Sequence, residues 1–132
     1  MSTGWTPSRR SAGSELTFEH HESHPDFIRL VMIENIHRAE HLSGSSALAD
    51  MRTPAIDITG RILERGRAEG VFARDVDAID VHMMISAFCV FRVANQHTFG
   101  TIFGRDLMSA DLRAGYRQMI GDMVVDYLRG RD

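Results

Sequence analysis

The chain has 132 residues, 43% of them hydrophobic and 25% charged, the balance of one globular domain with one core. Net charge is −3, and residues 1–66 carry 7 basic and 9 acidic side chains against 8 and 9 in residues 67–132, which argues against a basic nucleic-acid module and a polybasic membrane patch. The single cysteine, Cys89, excludes an internal disulfide and a cysteine-built zinc site.

All 15 basic residues are Arg. The longest strongly apolar stretch without charge is Met83–Phe91, far short of a membrane span. Met1–Gly13 lacks the apolar core of a signal peptide, so a cytoplasmic protein without membrane contact is expected.

Met1–Ser14 is rich in Ser, Gly, Thr and Pro and reads as a flexible tail, with Trp5 its only large apolar residue. Residues 15–132 read as one helical domain. Glu15–Glu22 forms a short helix, with Ser14 as its cap, and Ser23-His24-Pro25 breaks it. Pro25 opens a second helix, expected to reach Leu42. Its apolar residues Phe27, Leu30, Val31, Met32, Ile33 and Ile36 cover more than one face, the pattern of a helix contacted from several sides.

Ala47–Met51 reads as a helical turn, and Thr53-Pro54 as the start of a third helix ending near Glu69, with Gly70 as its stop. A fourth helix, from Ala78 to His97, is apolar on nearly every side, so part of it is expected to pack on another chain. Its polar residues His82, Ser86, Arg92 and Asn95 need partners, and either face outward or surround a polar-lined pocket. Phe99–Met108 contains Gly100 and Gly104 and reads as a loop. Ser109 caps a last helix to Gly130, where Leu112, Tyr116, Met119, Ile120, Met123, Val124, Tyr127 and Leu128 form one broad stripe. No strand pattern is present, and the expected fold is all-α with about five helices.

Two motifs bear on chemistry. His20 and His24 are four residues apart and could share a metal. His37-Arg38-Ala39-Glu40-His41 fits the inverted zincin pattern, in which two histidines on one helical face bind zinc and the glutamate serves as base. Such an enzyme also needs a third ligand and an open coordination position. Cys89 sits in Phe88-Cys89-Val90-Phe91, where apolar surroundings keep a thiol inert.

The run His24-Pro25-Asp26-Phe27-Ile28-Arg29-Leu30, continuing through Met32-Ile33-Glu34-Asn35-Ile36-His37-Arg38, resembles the opening of the ligand-binding domain of TetR-family transcriptional repressors. Ile62-Leu63-Glu64-Arg65-Gly66 and Glu69-Gly70-Val71-Phe72-Ala73-Arg74-Asp75-Val76-Asp77 resemble that family's turn into its long dimerisation helix. Val93-Ala94-Asn95-Gln96-His97-Thr98-Phe99 and the closing helix continue the match over residues 15–130.

The resemblance implies a homodimer in which the last two long helices build a four-helix bundle with the partner's pair, and a pocket for a small apolar or aromatic effector. It implies no cofactor and no enzyme activity. On this reading Met84, Ala87, Phe91, Tyr116, Ile120, Met123 and Tyr127 belong to the dimer interface, and Met32, Asn35, His82, Ser86 and Cys89 to the pocket. Only Met1–Ser14 precedes the matching region, where the family carries a DNA-binding helix-turn-helix, so direct DNA binding is not expected. A truncated frame, a stand-alone sensor and a dimerisation partner for a full-length relative are all open. The competing readings are a small metal-dependent hydrolase using His37, Glu40 and His41, and a purely structural helical adaptor.

Overall fold

The computed structural model describes residues 18–40 and 47–130, and their side chains except in residues 47–55. Their regular structure is entirely helical: α1 (residues 18–23), α2 (Pro25–Ile36), α3 (Ala47–Ala68), α4 (Ala78–Ala94), α5 (Gln96–Phe103) and α6 (Ala110–Arg129). Ser14, Trp5 and the rest of the expected tail lie outside the described residues.

Pro25 opens α2, where its missing N–H loses no hydrogen bond, and Asp26 adds negative charge at the positive helix end. The helix ends at Ile36 rather than Leu42. Arg38 and Ala39 turn left-handed, with φ of 56° and 59°, and the Ala39 N–H donates to the Glu34 carbonyl at 2.7 Å. That bond closes the helix end. Of α2 only Ile28 and Glu34 are buried, whereas Leu30, Val31, Met32, Ile33 and Ile36 are exposed among the described residues. The expected contact from several sides is therefore absent there.

α3 is one helix from Ala47 and runs through Thr53-Pro54 instead of starting there. An internal proline forfeits one backbone hydrogen bond. The mostly strong helix formers of Ala47–Met51 carry the helix across it. After α3, Gly70 adopts φ 72°, and the Gly66 carbonyl accepts from the Val71 and Phe72 N–H groups at 2.8 and 3.0 Å. This turn folds Phe72 back over α3, with its ring against the bare Cα of Gly66.

A Cβ at Gly66 would intrude on that ring, which is itself buried in the core. Alanine gains about 1 kcal/mol of helix propensity, but overpacking costs about 1–3 kcal/mol. Gly66→Ala is therefore expected to be a net loss of up to about 2 kcal/mol, read as a lower urea midpoint.

α4 is the central helix and packs against α2, α3, α5 and α6. At Asn95 the chain bends by 70°, and Gln96–Phe103 continues as α5, a helix where a loop was expected. Gly100 is the reason: a Cβ there would approach the Arg105 carbonyl at 3.3 Å, so this glycine serves close packing rather than a turn. Gly104, with φ 67°, is the actual stop. Ser109 caps α6 as expected, its Oγ accepting from the Asp111 N–H at 3.3 Å.

One core cluster joins Phe18 of α1, Leu63 of α3, Phe72, Val81, Ile85 and Cys89 of α4, and Ile120, Val124 and Leu128 of α6. The broad stripe of α6 is thus two stripes. Ile120, Val124 and Leu128 point inward, while Met119, Met123 and Tyr127 stay exposed. No single described helix is long and apolar enough to cross a membrane, and α4 with α5 reaches that length only across the bend.

Candidate functional site

Two features could hold a ligand. The first is an apolar cleft where α3, α4 and α6 meet. Ile62 and Leu63, Val81 and Ile85, and Val124 and Leu128 supply the walls, Phe72 closes one side, and Thr59 brings the one hydroxyl. The cleft offers about 30 Å³ of free space, room for a water or two.

The second is a charged cluster where α1 meets α4 and α6. The Arg92 side chain is 4% exposed, a rare placement for a cation. Its Nε donates to the Leu107 carbonyl and its Nη1 to Glu22 Oε2, both at 2.9 Å. The guanidinium lies 4.4 Å from the Phe18 ring centre and 5.9 Å from that of Tyr116. Arg113 Nε donates to the other Glu22 oxygen at 2.7 Å. Arg117 pairs with Glu19 at 2.8 Å, one turn of α1 before Glu22. Burial alone would raise the Glu22 carboxyl, but the hydrogen bonds from Arg113 and Arg92 outweigh it and hold it below its ordinary value. Among the described residues, Arg92 Nη2 is buried without a hydrogen-bond partner.

Histidines gather beside this cluster. His20 and His24 stack at 4.5 Å, and the Ser86 hydroxyl lies 3.3 Å from His82 Nε2. Burial holds the His21 imidazole below its ordinary value of 6.5, and His20, His82 and His24 push the same way. The unfolded chain therefore binds a proton near pH 6.5 that the folded chain resists. Stability from the neutral ring is intact above that pH and declines as pH falls below it. Melting wild type and His21→Gln at pH 7.5 and pH 5.5 should show the larger acid-induced drop in wild type. The Glu22 contribution is lost only below its own, more acidic range.

Among the described residues, the expected pocket residues are not brought to the apolar cleft. His82 and Ser86 are neighbours on one side of α4. Met32 and Asn35 lie on the exposed side of α2, and Cys89 is a core residue, 1% exposed. Burial pushes the Cys89 thiol up to about 12, leaving no thiolate at neutral pH. None of these five lines the cleft, whose walls are Val81 and Ile85 of the same helix and residues of α3 and α6. Helical spacing identified apolar positions but not which faces meet.

Of the expected interface residues, Ala87, Phe91, Met123 and Tyr127 are exposed, and Met84 and Tyr116 are half-buried. Ile120 is 1% exposed within the chain itself and has no surface to offer a partner. The zincin reading fails at its first requirement. α2 stops at Ile36, and the left-handed Arg38 and Ala39 break the helical face that His37 and its partner would share. Glu40 is exposed, and His41 lies outside the described residues. Among the described residues no group of three His, Cys, Asp or Glu is placed to hold a metal.

Residues 11–124 match the family described as tetracyclin repressor-like, C-terminal domain. A relative from Pseudomonas putida, the HTH-type transcriptional repressor NicS, is 28% identical over 112 residues, covering 85% of this chain and 53% of the relative. The chain thus spans about half the length of that curated relative.

Proposed function

This chain belongs to the family of tetracyclin repressor-like C-terminal domains, and from that premise we propose that it is the dimerising, effector-sensing part of a transcriptional regulator and does no chemistry of its own. The observation that carries the reading is the outward side of α4 and α6. Ile79, Met83 and Phe91 on α4, and Met119, Met123 and Tyr127 on α6, are 43–63% exposed. Apolar side chains on two packed helices mark an association surface. Met83, Ala87 and Phe91 are spaced four apart, as are Met119, Met123 and Tyr127, so each helix offers one continuous stripe. Two copies set face to face make a four-helix bundle with an isologous interface.

The effector reading rests on the apolar cleft. Its walls suit an apolar or aromatic molecule, with Thr59 as a single orienting hydroxyl. A drug-sized ligand needs a few hundred Å³, so binding must part α3 from α4 and α6. An effector that prefers the parted arrangement shifts the population toward it, and this is how it can act on a partner.

Thermal melts of the purified dimer against a panel of neutral aromatic compounds test this part. A ligand present at about a hundred times its Kd adds about 2.7 kcal/mol, a shift of several degrees. A panel that leaves the melt unmoved supports the structural adaptor instead.

A further inference from the structure

We infer that Arg92 and Arg113 form a binding site for a small carboxylate-bearing molecule, which the chain's own Glu22 occupies in its absence. The site is separate from the apolar cleft and does not depend on it.

The arginine side of this site is built without Glu22. Arg92 is held by the Leu107 carbonyl at 2.9 Å and lies against the Tyr116 ring, both outside α1, and also against the Phe18 ring, one turn before Glu22 on α1. Arg113 comes from α6, the opposite wall. Together they grip a carboxylate by both oxygens, at 2.9 and 2.7 Å, from two helices. Charge-assisted bonds of this kind are the strong ones, and a guanidinium fork matches a carboxylate in geometry.

Glu22 is an imperfect occupant. It reaches Arg92 through Nη1 alone, and Nη2 is left buried without a hydrogen-bond partner among the described residues. A buried unused donor is costly. A carboxylate not fixed to α1 can turn to engage both terminal nitrogens. The Glu22 side chain is 22% exposed against 4% for Arg92, so it can swing outward while Phe18 stays in the core. The site then opens toward solvent on the glutamate's side, and the flanking rings give the ligand an apolar wall.

A tethered competitor lowers apparent affinity by the fraction of time it occupies the site. Removing it should tighten binding by about tenfold. The test is a titration of the full chain with benzoate, and with benzamide as its neutral counterpart, at constant chloride. The Nε–H resonances of Arg92 and Arg113 report by NMR. Benzoate should give saturable shifts at millimolar concentration and benzamide none. Glu22→Gln should tighten benzoate about tenfold, and adding Arg113→Gln should abolish binding. Equal response to benzamide, no shift at tens of millimolar benzoate, or unchanged affinity in Glu22→Gln would overturn the inference. The wild-type comparison of the two probes needs no variant, so it decides the matter even if a substitution prevents folding.

Discussion

Met123→Asp is expected to turn a dimer into a folded monomer at micromolar concentration. Met123 is 53% exposed and lies mid-stripe on α6, between Met119 and Tyr127. In an isologous interface each substitution counts twice. Burying one unpaired carboxylate costs about 2 kcal/mol or more after partial relaxation, so the pair costs about 4 kcal/mol, roughly a thousandfold in Kd. Helical content should be unchanged, because the side chain contributes nothing to the chain's own core cluster. Sedimentation velocity with circular dichroism reads both quantities on one sample. Ile120→Asp is the contrasting control: Ile120 is 1% exposed, so that variant should unfold rather than dissociate.

Arg92→Ala should cost the domain about 3 kcal/mol, a fall of about 10 °C in melting temperature. The guanidinium joins α1, α4, the Leu107 carbonyl before α6 and, through Glu22, Arg113 on α6 itself. Deleting it leaves a buried carbonyl without its donor, a cavity beside Phe18, and Glu22 with one partner of two. Arg92→Met keeps most of the volume and should lose about half as much. Both variants break the ion pair and leave the Leu107 carbonyl without its donor, so the difference between them is the packing alone. Chemical denaturation of the two variants side by side separates packing from charge. Equal losses in both would show that the charge, not the space, holds the three elements together.

The helix starts were legible because they rest on local chemistry. Pro25 and Ser109 act through their own backbone and side chain, and both stand where their residue types predict. The misreadings arise where a distant contact decides. Gly100 reads as a turn but is there because the Arg105 carbonyl comes close. Pro54 reads as a helix start, but the residues before it were already helical.

The same divide governs the sites. For Arg92 the sequence leaves open an outward position or a polar-lined pocket, and nothing local points to Glu22, 70 residues away, as its partner. On α6 the apolar spacing fits two adjacent faces. Only packing against α4 assigns Ile120 inward while Met119 and Met123 remain outside. The cleft walls at Val81 and Ile85 were in plain view as apolar residues of the fourth helix. Their meeting with Leu63 and Val124 was not, because helical period says nothing about which neighbour a face meets.

Native mass spectrometry of the purified chain tests the central proposal most directly, since it reads subunit number and any retained small molecule together. The account predicts a species of twice the chain mass that persists at low micromolar concentration and falls to single chains in Met123→Asp. A single chain with full helical content at the same concentration would contradict it, because the exposed stripes of α4 and α6 would then have no partner copy to cover them.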